Sequence, residues 1–139
     1  MKCVVTGGAG FIGSNLVDRL ISEGHEVLIL DDLSTGKEEN INPKARHHGF
    51  DIASDNILPN IKTLGLFDGV DVVFHLACLA RVQPSIENPL LYHDKNVNGL
   101  VNMLEACRIH GVKRFVFSSS SSVYGDAEQL PTTEECSLN

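Results

Sequence analysis

The segment Val4-Val5-Thr6-Gly7-Gly8-Ala9-Gly10-Phe11-Ile12-Gly13-Ser14 runs a short β-branched stretch directly into closely spaced glycines and then into a helical pattern. Few folds accept that order. Gly7, Gly10 and Gly13 lie three apart, and Gly8, Gly10 and Gly13 also satisfy Gly-x-Gly-x-x-Gly. Glycine permits positive φ and close backbone approach, so the amides at the start of the following helix can face a diphosphate. An acidic residue, Asp31, ends the next apolar run at the distance expected of a carboxylate that accepts hydrogen bonds from an adenosine ribose. Its charge would repel an added 2′-phosphate, which favours NAD over NADP.

Beyond this unit, apolar strand-like runs continue to alternate with helix-like segments. The strand candidates are Lys2 to Thr6, Glu26 to Asp31, Arg46 to Asp51, Val70 to His75 and Arg114 to Ser118. Ser14 to Glu23 places Leu16, Val17, Leu20 and Ile21 at helical spacing, with Gly24 as a C-terminal stop. Asn88 to His110 is the longest helical candidate, limited at its start by Pro89 and weakened in its middle by Gly99. The stretch from Ser34 to Lys44 reads as a polar loop with room for a short helix. This alternation predicts an α/β fold, a Rossmann-like doubly wound parallel sheet with helices on both faces. A length of 139 residues suits one such domain, expected to be truncated before its last part.

Charge and cysteine usage exclude other classes. A formal net charge of -7 without a basic run argues against a nucleic-acid surface. Cys3, Cys78, Cys107 and Cys136 are scattered without a Cys-x-x-Cys pair, so neither a zinc site nor a redox dithiol is signalled, and no metal is expected. The N-terminus reads straight into a strand without a basic region, a long apolar region and a cleavage site, and no apolar run is long enough to cross a membrane, so no signal peptide and a cytoplasmic location are expected.

Five blocks make the reading specific. They are Thr6 to Ser14, Asp31-Asp32-Leu33-Ser34-Thr35-Gly36, His75-Leu76-Ala77, Asn96-Val97-Asn98-Gly99, and the serine run Ser118 to Ser122 followed by Val123-Tyr124-Gly125-Asp126. In this order they closely resemble the extended short-chain dehydrogenase/reductases, and within them the NAD-dependent nucleotide-sugar epimerase/dehydratase family. The resemblance covers essentially the whole chain.

That resemblance implies a cofactor site. Gly7, Gly10 and Gly13 would form the turn, Phe11 and Ile12 would offer backbone contacts to the pyrophosphate, and Asp31, Asp32, Leu33, Ser34, Thr35 and Gly36 would surround the adenosine ribose. Asp51 and Ile52 would meet the adenine. Leu76, Ala77, Cys78 and Ala80 would line the path to the nicotinamide-side ribose, with Cys78 standing where relatives carry Ala or Gly. Asn96, Ser118 and Ser119 would complete the cofactor side, and His75 is expected to be structural. Arg81 replaces a Ser or other small residue, and its role is open between a substrate phosphate and solvent. Lys95 stands where close relatives often have a second Asn near the cofactor.

The same resemblance implies a reaction. Ser120 would hydrogen-bond the reacting sugar oxygen, whereas Tyr124, in its Val-Tyr-Gly setting, resembles a structural position. Sugar-nucleotide dehydratases carry acids where this chain has Ser121 and Ser122, and serines cannot perform that proton transfer at neutral pH. The expectation is therefore 4-epimerisation of a nucleotide sugar of the UDP-glucose/UDP-galactose type through a 4-keto intermediate. The alternatives are a non-catalytic NAD-binding module, or dehydration, decarboxylation or reduction on the same scaffold. The acid-base motif Tyr-x-x-x-Lys is not among these residues: Tyr92 is followed four positions later by Asn96, and Tyr124 by Glu128. It is expected just beyond Asn139, so residues 1–139 are expected to be an incomplete NAD-binding domain, inactive alone, with the substrate-binding part absent. A homodimer is expected for a full-length form, pairing through the helix from Asn88 to His110.

Overall fold

The computed structural model describes residues 1–126 and 129–138. Five parallel strands, β1 (Lys2–Thr6), β2 (Glu26–Leu30), β3 (Arg46–His48), β4 (Val72–His75) and β5 (Arg114–Phe117), form one sheet in the order β3-β2-β1-β4-β5. The order reverses between β1 and β4, so a crevice opens where their carboxyl ends part. Thr6 pairs with Leu30 on one side and His75 on the other, and His75 in turn pairs with Phe117. Leu30 also pairs with His48, so all five strands end level, beneath one site.

Strand periodicity divides the core. Cys3 and Val5 point to one face and pack with Val17 and Leu20 of α1 (Phe11–Ser22), together with Val27 and Ile29. Val4 points to the other and joins Leu28, Leu30 and Val73 under Ile57 and Ile61 of α2 (Ile57–Thr63) and Met103 and Ala106 of α5 (Gly99–His110). Alternate residues of β1 therefore feed two apolar layers, which is why its interior reads as unbroken apolar sequence. Helices cover both faces, as expected.

Several boundaries differ from the sequence reading. Helix α1 begins at Phe11 rather than Ser14, because Gly10 is its N-cap and the turn feeds the helix without a linker. Gly24 does stop it, at φ +82°, with His25 N–H bonded back to the Leu20 carbonyl. Strand β3 ends at His48, not Asp51: it is a sheet edge, and Phe50 N–H turns back to the His48 carbonyl. Strand β4 starts two residues late, since Val70 belongs to the preceding turn. Helix α2 was hidden by its seven-residue length and by Pro59, too short a span to display a helical period.

The segment from Asn88 to His110 is helical but not uniform. It comprises α4 (Pro89–His93), a wide π-type turn over Asp94–Asn98 and α5, preceded by the separate short helix α3 (Val82–Glu87). The wide turn adds a residue per turn and lies where Lys95 and Asn96 are presented. No helix among the described residues is long and apolar enough to cross a membrane. Nor do the described residues gather three or more His, Cys, Asp and Glu side chains fit to hold a metal ion.

Candidate functional site

A cavity of about 420 Å³ lies at the carboxyl ends of the strands, over the switch between β1 and β4. Its floor is the glycine turn. Gly7 has φ +70°, and a Cβ there would sit 2.8 Å from the Ala77 nitrogen. A Cβ on Gly13 would fall on the Gly7 carbonyl oxygen. These two positions admit only glycine, because the loop after β4 is pressed against Gly7 and the first turn of α1 against the strand end.

The turn leaves donors waiting. Gly10 N–H bonds to the Gly7 carbonyl and Ser14 N–H to Gly10, but no described group accepts from Phe11, Ile12 or Gly13 N–H. Gly10 brings no capping side chain, and α1 has no acidic residue in its first turn. Three unpaired amides at a helix N-terminus that borders a cavity are the donor set an anion requires.

Asp31 forms the next wall. It is 8% exposed, with Oδ2 accepting from Ala9 N–H at 2.9 Å and Oδ1 from Leu33 N–H at 2.9 Å. Each oxygen keeps a second acceptor site for a hydroxyl. Among the described residues, Leu33 is the one non-glycine residue at positive φ (59°), a conformation held by that bond. A Cβ on Gly36 would come within 2.9 Å of Asp31 Oδ1, so its glycine gives the carboxylate clearance.

Thr6 anchors the opposite wall. Its hydroxyl oxygen accepts from Leu76 and Ala77 N–H, both at 3.2 Å, and lies 3.1 Å from His75 Nδ1. The hydroxyl proton therefore points to Nδ1, which fixes the neutral ring with its proton on Nε2. His75 is 2% exposed and stacks on Phe115 at 5.6 Å. Burial lowers its pKa to about 4. It is built in as a neutral structural ring, in keeping with the sequence reading.

A profile of the NAD dependent epimerase/dehydratase family matches residues 3–139. The chain belongs to that family. It is 41% identical over 139 residues to the UDP-glucose 4-epimerase of Lactobacillus helveticus, an alignment that takes in 100% of this chain and 41% of the relative. The UDP-glucose 4-epimerase of Thermotoga maritima, solved with UDP-glucose, superposes with a TM-score of 0.84 at 39% identity, covering 94% of this chain and 41% of that one. The Thermus thermophilus UDP-glucose 4-epimerase, solved as a complex with NAD, gives 0.84 at 37% identity, over 97% of this chain and 43% of that one. The chain thus spans less than half the length of each.

Within this epimerase/dehydratase framework, the fold gathers most of the site residues expected from sequence. Gly7, Gly10, Phe11, Ile12 and Gly13 line the cavity floor. Asp31, Asp32, Ser34 and Thr35 line one end, beside Asp51 and Ile52. Leu76, Ala77 and Cys78 line the other, with Ser118 and Ser119. Leu33 and Gly36 stand behind Asp31 and shape it.

Besides Leu33 and Gly36, three more expected residues lie off the cavity lining. Ala80 is exposed on the loop after β4. Asn96 is spent on that loop: its Oδ1 accepts from Leu79 N–H at 2.8 Å and its amide donates to the Leu79 carbonyl at 3.0 Å. Ser120 caps the turn Ser121–Tyr124, its hydroxyl oxygen accepting from Ser122 N–H at 3.2 Å. Arg81 is exposed, outside the lining, at the N-terminus of α3.

Lys95 stands out in the sequence only as a departure, yet it lines the cavity and pairs with Asp51, with Asp32 Oδ2 3.9 Å away. Leu30, Phe50 and Leu79 also join the lining. Phe50 and Leu30 could have been found as the apolar neighbours of Asp51 and Asp31; nothing local announces the Lys95 pairing.

Proposed function

We propose that this chain is the cofactor-binding portion of a cytoplasmic nucleotide-sugar 4-epimerase that acts on a UDP-glucose/UDP-galactose type substrate. The observation that carries the reading is the unpaired amide triad of Phe11, Ile12 and Gly13, set in a glycine cradle that lines the same cavity as the buried Asp31 carboxylate. Its residues fit a dinucleotide in sequence order. The amides take the diphosphate, Asp31 with the loop to Gly36 takes the adenosine ribose, and Asp51 and Ile52 take the adenine. Leu76, Ala77, Cys78, Ser118 and Ser119 flank the nicotinamide half, and Asn96 keeps that wall in place through Leu79.

NAD bound there supplies a hydride acceptor and then a hydride donor at one carbon of the sugar. The chain's own residues hold and orient. Ser120, one residue past the lining, would turn its hydroxyl from Ser122 to the reacting sugar oxygen, and neutral His75 would keep Ala77 in register through Thr6. Ser121 and Ser122, in place of acids, support epimerisation over dehydration. The acid-base Tyr and Lys and the sugar site would come from outside residues 1–139. The full-length protein would pair through the exposed apolar strip Leu90, Val97, Val101 and Leu104.

The test is an assay of the natural full-length product with UDP-glucose. Formation of UDP-galactose without net NADH release is expected; a stable 4-keto product or stoichiometric NADH would move the assignment to another reaction on this scaffold.

A further inference from the structure

Lys95 is the one cation among the described residues that line the cavity, and its ammonium pairs with Asp51 Oδ2 and lies 3.9 Å from Asp32 Oδ2. Three separate segments meet there: Lys95 comes from the wide turn Asp94–Asn98, Asp32 from the loop after β2, and Asp51 from the loop after β3. The turn is itself tied down one residue later, where Asn96 holds both the N–H and the carbonyl of Leu79. The ammonium is therefore delivered from a fixed base, and the two carboxylates take up its charge. It acts through them.

Its effect falls on Asp51. Oδ1 accepts from Ala53 N–H at 3.0 Å, two residues on, which pins one oxygen and leaves the plane of the carboxylate free to turn. Lys95 engages the other oxygen and removes that freedom. Without the ammonium, Asp51 would face the like charge of Asp32, and with 35% of its side chain exposed it has solvent to turn into. Asp32 is held independently, its Oδ1 accepting from both Ser34 N–H and Ser34 Oγ.

The next residue completes a donor and acceptor pattern. Ile52 also lines the cavity, and no described group accepts from its N–H. A carboxylate only accepts, each of its oxygens keeping room for a second donor, and a backbone N–H only donates. Adjacent in the chain, they match the edge of adenine, whose exocyclic amine donates and whose N1 accepts. A 6-oxo purine reverses both, turning a carbonyl to the carboxylate and an N1–H to the N–H.

We infer that Lys95 is a positioning residue for base recognition: by fixing Asp51 it makes the site select a dinucleotide whose purine carries a 6-amino group over one with a 6-oxo group. The inference rests on the dinucleotide reading of the cavity.

The experiment is calorimetric titration of the chain with NAD and, separately, with nicotinamide hypoxanthine dinucleotide, which differs from NAD only at that purine. NAD should bind the wild-type chain at least about tenfold more tightly. Lys95→Met should shrink that ratio at least about threefold by weakening NAD, with the hypoxanthine form held within about twofold, and Lys95→Arg should keep the ratio. Asp51→Asn, whose amide can donate to the 6-oxo group, should abolish the preference. A contribution of Lys95 to folding alone would weaken both ligands alike. Thermal melts identify any variant that fails to fold, and Lys95→Gln then takes the place of Lys95→Met. If NAD binds and the wild-type chain shows no preference, or the ratio stays unmoved once the charge is removed, the role of Lys95 is overturned while the cavity reading stands. If the folded wild-type chain binds neither dinucleotide, the cavity reading itself is overturned, and this inference with it.

Discussion

A buried imidazole that accepts a hydroxyl proton stays neutral at a cost that appears only in acid. Thr6 Oγ1 receives two backbone N–H groups and has one proton left, which His75 Nδ1 accepts. Protonating Nδ1 would break that bond and place a charge between Phe115 and Phe117. The folded pKa, lowered to about 4, lies below the ordinary 6.5, so the unfolded chain binds the proton more readily. The stabilisation is thus fully present above pH 6.5 and is lost as pH falls towards 4, about 1.4 kcal/mol per unit and on the order of 3 kcal/mol in all. Urea unfolding across that window should show the decline, and His75→Gln should flatten it. His48, whose pKa is lowered by burial, Arg46 and His47, gives a slope common to both proteins. Equal slopes would mean that His75 titrates normally in the folded chain.

At the level of elements, the site depends on how the loop after β4 is fastened. Asn96, on the wide turn between α4 and α5, holds both the N–H and the carbonyl of Leu79. The wall residues Ala77, Cys78 and Leu79 therefore hang between Thr6 at one end and Asn96 at the other. Asn96→Ala removes both bonds, leaves half-buried backbone groups unpaired, and should cost about 1–3 kcal/mol. Hydrogen exchange is the direct readout. The Leu79 amide should exchange faster in the variant, with the amides of β1 unchanged; unaltered protection would show that the loop holds itself.

This element also shows what the sequence could and could not disclose. The glycine turn and Asp31 were legible because each is local: close spacing forces the turn, and the end of β2 follows one helix later. The pairing of Lys95 with Asp51 spans 44 residues and exists only because a helix from one crossover is laid over the loop of another. Asn96 reads from sequence as a cofactor contact, and its bonds to Leu79 could not be foreseen from spacing. The short α2 and the separate α3 carry too few turns for periodicity to declare them.

For the molecule as a whole, one geometric fact organises the rest. Two apolar layers fix a parallel sheet whose order reverses between β1 and β4, and the reversal places the glycine turn, Asp31, Asp51 and the serines after β5 around one cavity. The residues that would hold NAD come from segments as distant as Gly7 and Ser119, so the cavity exists only if the sheet forms. Everything proposed for the protein requires that this cavity take a dinucleotide. Calorimetric titration of the 139-residue chain with NAD, beside Asp31→Ala, measures that binding itself. One NAD per chain is expected, weakened at least tenfold in the variant through loss of the two ribose hydrogen bonds. Absence of binding by a folded wild-type chain, or equal affinity in Asp31→Ala, would contradict this reading.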